Sequence, residues 1–268
     1  MSVELFFTAN PQRAESGRAC LRLMDMAQSM GFSVHPLKEE ALLTAAEAPE
    51  GMLVVVGGDG SLLRQVPAAL RTGMPLWGVH GGTVGFLTES TEETFAKDLQ
   101  SVQTGAYTLE ARQLLMCRFP SETGEPPMYC LNDALLYKRT LSGVARIHIR
   151  LDGEEAGVVS GDGVIVSSPT GSTAYSLSCG GPVLTRNTEA LVVTPVCPHN
   201  LHMRPVVAPF RSHVELYSDD PCVDVADGSR LAPMDPGSVL EISGSERSIS
   251  FIRFGRSNLF SRIHERLT

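Results

Sequence analysis

The chain has 268 residues, of which 43% are hydrophobic and 19% charged, and a formal net charge of −8. That balance fits an ordinary globular protein of one large or two medium domains. The acidic excess, without a dense Lys/Arg cluster, argues against a nucleic-acid partner. No apolar run approaches the roughly 18 residues of a membrane-spanning helix, so no membrane contact is expected, and the N-terminus lacks a signal-peptide pattern. The six cysteines (20, 117, 130, 179, 197 and 222) include no C-x-x-C pair, the usage of reduced cysteines in a cytoplasmic protein. His199 and His202 form H-x-x-H without further Cys or His at ligand spacing, so no protein metal site is expected.

In chain order, Val3–Thr8 reads as a strand, and Asn10-Pro11 as a helix start with Asn as cap and Pro at the first helical position. That helix carries Cys20, Leu23, Met24, Ala27 and Met30 on one side and ends at Gly31. Residues 32–37 suit a second strand, and 39–50 a short helix and loop. Residues 53–56 are four apolar residues, three of them β-branched, a strand buried on both faces. It runs into Gly57-Gly58-Asp59-Gly60-Ser61, followed by Leu62, Leu63, Val66, Ala69 and Leu70 at helical spacing. Pro67 predicts a kink or break in that helix. Leu76–Val79 is a further strand entering a second glycine-rich exit, Gly78–Leu87, and 92–99 is helical. To about residue 103 this is a doubly wound α/β unit with a mainly parallel sheet.

Beyond it, Ala145–Leu151 alternates strictly and Asp152-Gly153 marks a turn. Short strands are expected near 114–119, 129–137, 155–159, 163–168, 190–196, 205–208, 213–217, 222–226 and 238–243. This half is β-rich, sandwich- or barrel-like. Residues 248–254 and an amphipathic 259–267 supply a strand and a helix that return to the first domain. The expected domains are 1–103 with about 248–268, and 104–247.

Three stretches carry chemistry. Asp59 sits at the carboxyl end of a parallel strand beside a helix N-terminus, the place where open α/β sheets bind ligands. Backbone N–H groups there suit phosphate. The carboxylate repels phosphate, so it holds a metal, accepts a proton, or merely caps the following helix. The motif is neither a Walker loop nor G-x-G-x-x-G. Asn132-Asp133 at a strand end offers hydrogen-bonding groups for a sugar diol, or is a polar turn. Ser167–Pro182, following Ser160-Gly161-Asp162-Gly163 and a short strand, surrounds Tyr175 with small hydroxyl residues; such a loop suits a nucleotide. No G-x-S-x-G elbow occurs, which disfavours serine hydrolysis.

Together these motifs, with Thr194–His199 and Arg204-Pro205, resemble the NAD kinase family over nearly the whole chain. The G-G-D-G turn is shared with lipid kinases and 6-phosphofructokinases. The Ser168–Ser176 run ahead of Gly180-Gly181-Pro182 is far more specific. The resemblance implies transfer of the γ-phosphoryl group of ATP, or of polyphosphate, to the 2′-hydroxyl of the adenosine ribose of NAD, with Mg²⁺. It implies Asp59 as proton acceptor, and Gly58 and Gly60 facing phosphates, with Phe86 beside them in the nucleotide site. It puts Asn132 and Asp133 by NAD ribose and phosphate groups, with Arg146 on the ligand side. Asp162 would hold the nicotinamide end, and Thr173, Ala174, Tyr175 and Ser178 would line the pocket. It also implies a homo-oligomer, dimer or tetramer, with sites shared between subunits.

Some positions depart from the family pattern. Asn-Asp stands at 132–133 in place of Asn-Glu, Ser160 in place of a basic residue, His80 in place of Asn, and Asp227-Gly228-Ser229 in place of Asp-Gly-Gln. A lipid kinase shares only the G-G-D-G turn, and no basic amphipathic segment for a membrane surface is present. A non-catalytic sensor of NAD or NADP is the other alternative.

Overall fold

The computed structural model describes residues 3–10, 13–37, 50–80, 85–119, 126–228, 230–256 and 260–263. The helix and loop expected within 39–49, the glycines of the second exit at 81–84, and most of the expected terminal helix lie outside them. The chain forms two compact units, Met1–Arg112 with Ser248–Thr268, and Gln113–Arg247.

In the first unit, β1 (Glu4–Ala9) leads to α1 (Ala14–Ser29), then β2 (Ser33–Pro36) and β3 (Met52–Val56). The expected Asn10 cap is not formed. The Arg13 N–H donates to the Asn10 carbonyl, and Arg13 takes the N-cap position of α1. After β3 the chain turns directly into α2 (Asp59–Arg64) and α3 (Val66–Thr72). The break falls at Gln65, so Pro67 occupies the first turn of α3, where no N–H has to be donated. Then come β4 (Leu76–His80), β5 (Ser90–Thr91), α4 (Glu92–Gln103) and the start of β6 (Thr108–Arg118).

The strands pair in parallel in the order β2-β1-β3-β4. β5 and the end of the strand Val239–Arg253 also join β4 in parallel. All five residues of β3 are buried, because it has a strand on each side and helices over both faces. On one face Leu5, Phe7, Val54 and Trp77 pack with Leu23 and Ala27 of α1 and Phe95 and Leu99 of α4. On the other, Leu62 of α2 lies directly over Gly78.

The second unit contains β7 (Met128–Cys130), β8 (Asp133–Lys138), β9 (Ala145–Leu151), β10 (Glu154–Gly161) and β11 (Gly163–Ser167). After the short helix α5 (Tyr175–Ser178) follow β12 (Ala190–Val196), β13 (Val206–Pro209), β14 (Val214–Ser218), β15 (Cys222–Ala226), β16 (Arg230–Met234) and β17 (Val239–Arg253). One sheet runs β13-β12-β11-β8-β15-β16; the strands β10-β9-β14-β17 are neighbours in another. The registered pairs within this unit are antiparallel. Alternate residues from both sheets meet in one core: Leu136, Val164 and Val193 from the first, Ile147, Leu216 and Ile242 from the second. This is a sandwich.

The single strand expected over 129–137 is two, interrupted at Leu131 and Asn132, whose N–H groups bond to the Asp227 side chain. β16 was not anticipated. It contains Pro233, which a sheet tolerates at an edge, and β16 is an edge strand.

A methyl group on Gly78 would come within 2.6 Å of Leu62 Cδ1 and 3.0 Å of Thr88 Cα. Gly78→Ala should therefore cost about 1–3 kcal/mol in urea unfolding. Combined with Leu62→Ala, which vacates part of that space, the cost should be less than additive; strict additivity would contradict this packing.

Candidate active site

In the first unit the strand order reverses direction between β1 and β3, and ligands bind outside the carboxyl ends of strands at such a switch point. A cavity of about 430 Å³ opens there, lined by Arg13, Glu15 and Ser16 at the start of α1, Gly57 and Gly58 after β3, His80 at the end of β4, and Glu92. Gly57 is the glycine the turn requires: its φ is 155°, and a Cβ would strike Ser61 Oγ. Gly60 is exposed, with open space where a Cβ would stand. The fold itself does not demand glycine there.

Asp59 does not cap its own helix; Gly58 is the N-cap and no side chain caps it. Its carboxylate instead reaches the segment 85–88. Oδ2 accepts the Phe86 N–H at 2.9 Å, and Oδ1 accepts those of Leu87 at 3.0 Å and Thr88 at 3.4 Å. A Cβ on Gly85 would overlap the Asp59 carboxylate, so this residue has to be glycine. Three amides fix the carboxylate, and Oδ2 keeps a lone pair for another donor. Capping, one of the readings open from the sequence, is thereby replaced by a side chain held from outside its helix.

In the second unit Asp227, at φ 47°, accepts the N–H groups of Leu131 (2.7 Å), Asn132 (2.7 Å) and Asp133 (3.2 Å). Ser168 completes the turn, with its N–H donating to the Asn132 carbonyl and its hydroxyl to that of Leu131. Gly171 packs so tightly on Asn132 that a side chain there would overlap its carbonyl. Asn132 stays half-buried, whereas Asp133 is 8% exposed. Burial, and then the neighbouring Asp227 carboxylate, pushes the Asp133 carboxyl up to about 7. Burial also raises Asp227, opposed by its three backbone donors.

The hydroxyl-rich loop divides in two. Ser168, Ser172 and Ser176 are fully buried. Their hydroxyls are engaged with the Leu131 carbonyl, the Pro169 carbonyl and Thr194 Oγ1. Thr173, Ala174, Tyr175 and Ser178 are half-buried or exposed. Only the second group is accessible to a ligand. Asp162 pairs with Lys138 at 2.7 Å, and Lys138 also donates to the Gly143 carbonyl. Arg146 is exposed on β9, directly across the ladder from Ser160, where the family pattern has a basic residue. Cross-strand partners share a face, so a guanidinium stands beside the place where that cation is missing.

Sequence reasoning did not find Lys138, nor the supporting role of Asp227, although Asp-Gly was a visible turn signal for the latter. Among the described residues no group of three or more His, Cys, Asp or Glu could hold a metal by itself. No helix among them is long and apolar enough to cross a membrane.

Residues 15–107 match the ATP-NAD kinase N-terminal domain family, and 131–254 the ATP-NAD kinase C-terminal domain family. The chain is similar to the NAD kinase of Moorella thermoacetica, 33% identical over 246 residues that cover 90% of this chain and 77% of that protein. It is 35% identical to the NAD kinase of Heliobacterium modesticaldum over 244 residues, 87% of this chain and 86% of that one. Its fold is similar to yeast NADH kinase complexed with NADH, with a TM-score of 0.83, 22% identity, and 99% of this chain and 87% of the other covered. It is also similar to an NAD kinase from Archaeoglobus fulgidus in complex with ATP, with a TM-score of 0.76, 24% identity, and 98% and 99% covered. With both domain families matched in order, and identity above 30% over most of either bacterial relative, the chain belongs to the NAD kinase family.

Proposed function

We propose that this kinase transfers the γ-phosphoryl group of ATP to the 2′-hydroxyl of the adenosine ribose of NAD, giving NADP, with Asp59 taking the hydroxyl proton. The observation that carries this reading is the Asp59 carboxylate, fixed by three backbone amides at the carboxyl end of β3 rather than spent on its own helix. The free lone pair on Oδ2 accepts the ribose O–H. As the oxygen–phosphorus bond forms and the bond to the leaving ADP breaks, the proton passes to the carboxylate. Phosphoryl transfer is mostly positioning and charge neutralisation, so a fixed acceptor fits the reaction.

The cavity at Gly57, Gly58 and His80 is assigned to the donor phosphates, with the start of α1 on its wall. Open space at Gly60 supports close approach of a phosphate to the backbone. Mg²⁺ arriving on phosphates needs only one or two protein carboxylates, and Glu15 on the cavity wall fits that need, whereas Glu92 is engaged by Arg22. When bound, the ion would neutralise phosphate charge. For NAD, the assigned residues are Phe86, Asn132, Asp133, Arg146, Asp162, Thr173, Ala174, Tyr175 and Ser178. Ionised Asp133 would accept hydrogen bonds from ribose hydroxyls, and the planar face of Tyr175 would stack on a base. The solved neighbours in this fold carry NADH and ATP, the same ligand classes. The reading includes a homo-oligomer with sites shared between subunits.

Asp59→Asn should lower kcat by about 10²–10⁴ while NAD binding by calorimetry persists. The assay couples product to an enzyme specific for the 2′-phosphate, with ATP and polyphosphate run in parallel. A variant that kept half its activity would remove Asp59 from the role of proton acceptor.

Asp133 gives a pH signature. An unfolded aspartate titrates near about 3.9, whereas here it titrates at about 7. Between those values the folded protein holds a proton that the unfolded chain has released. The stability contribution is therefore full below the lower value and lost as pH rises through the upper one. Asp133→Asn should gain stability relative to the parent as pH rises from about 5 to about 8, by up to a few kcal/mol at roughly 1.4 kcal/mol per pH unit. Over the same range NAD affinity of the parent should rise, and that rise should vanish in the variant. Parallel pH profiles for the two proteins would contradict both statements.

A further inference from the structure

Peptide units have two ends, and the segment that holds Asp59 uses both. In a trans peptide the C=O of one residue and the N–H of the next point in opposite directions. The Gly85–Phe86 peptide donates its N–H to Asp59 and turns its C=O to Arg262 Nη1 at 3.3 Å. The Phe86–Leu87 peptide donates to Asp59 and accepts from Arg262 Nη1 at 2.7 Å. The Leu87–Thr88 peptide donates to Asp59 and accepts from Arg253 Nη1 at 2.9 Å. Three consecutive peptides thus stand between one carboxylate and two guanidinium groups. Arg262 also donates to the Thr88 carbonyl at 2.9 Å.

Both arginines are buried, at 3% and 6% exposure, and both reach Glu89, which is 6% exposed: Arg262 at 2.7 Å and Arg253 at 3.3 Å. Glu89 further accepts the Phe254 N–H, and Glu110 accepts from Arg253 Nε. These charges are paired in place, although Arg253 Nη2 is buried without a hydrogen-bond partner among the described residues, and breaking such a buried set by removing one member is expensive. Hydrogen bonds in series polarise one another, so a guanidinium on each carbonyl strengthens the N–H at the far end.

We propose that Arg262, assisted by Arg253, is a positioning residue for the phosphoryl-transfer reaction: it orients the amides of residues 86–88 and, through them, the Asp59 carboxylate. This rests on the reading of Asp59 as the proton acceptor. Arg262 acts through the backbone that Asp59 leans on.

The test is a double-mutant cycle on the full chain. Arg262→Lys keeps the charge but loses the planar fork that serves several carbonyls at once. It should lower kcat by about 10–100-fold, the scale expected for an ångström-sized misplacement, with a smaller change in the NAD dissociation constant. In the Asp59→Asn background the same substitution should change kcat little, because the group being positioned is gone. Equal losses in both backgrounds would show that Arg262 only anchors the C-terminal segment, and would overturn the proposal. Should Arg262→Lys fail to fold, Arg253→Lys reads the same coupling through the Leu87 carbonyl, with a smaller loss expected and the same overturning result. If Asp59→Asn alone leaves kcat unchanged, the reading of Asp59 fails instead, so the two failures are distinguishable.

Discussion

Asp59 is held by three amides that belong to a different part of the chain, and most of the first unit is arranged so that those amides can point at it. Gly85 has no side chain because the carboxylate fills that space. The Glu89 N–H continues the segment by donating to the Gly78 carbonyl of β4. Gly78 in turn stays bare because Leu62, three residues past Asp59, packs on it. One helix thus positions the carboxylate at its first residue and presses on the neighbouring strand a turn later. A change at Gly78 is therefore felt at both ends of the Asp59 contact.

The cost of this arrangement is concentrated in buried charge. Glu89 and Asp98 sit inside the first unit, and each is matched by arginines from the C-terminal segment: Arg253 and Arg262 on Glu89, Arg256 on Asp98. Asp98 also accepts from Ser90, whose hydroxyl takes the Trp77 indole N–H. Buried ion pairs seldom add net stability over well-packed apolar side chains, but they are intolerant of losing one partner. What they contribute is a fixed geometry for residues 85–98, the segment that carries the amides facing Asp59.

Much of the parallel sheet was legible because period and punctuation agree: a β-branched run, a glycine stop and a helical repeat can be read at Leu53–Leu70 without tertiary knowledge. The candidate site was legible at Asp59 and Asn132-Asp133 for the same reason, as polar residues stranded at strand ends. The supports were not. Arg253 and Arg262 lie in a stretch that reads as ordinary amphipathic chain, and their partners are brought to them only by folding. The hydroxyl-rich loop misled in a different way. Its composition suggested a surface of adaptable donors, yet Ser168, Ser172 and Ser176 point inward and are consumed by the backbone. Sequence shows which hydroxyls exist; burial decides which remain available.

The second unit uses the same device with donor and acceptor exchanged. There a carboxylate, Asp227, does the holding, and the amides of Leu131–Asp133 are what is held. The presented group is then the Asn132-Asp133 side-chain pair. An aspartate where the family pattern has glutamate carries its carboxyl one methylene closer to the backbone, and that carboxyl is buried. Burial first, and then the neighbouring Asp227 carboxylate, pushes the Asp133 carboxyl up to about 7. The shorter side chain therefore changes more than reach. It ties the charge state of a proposed ribose contact to pH near neutrality.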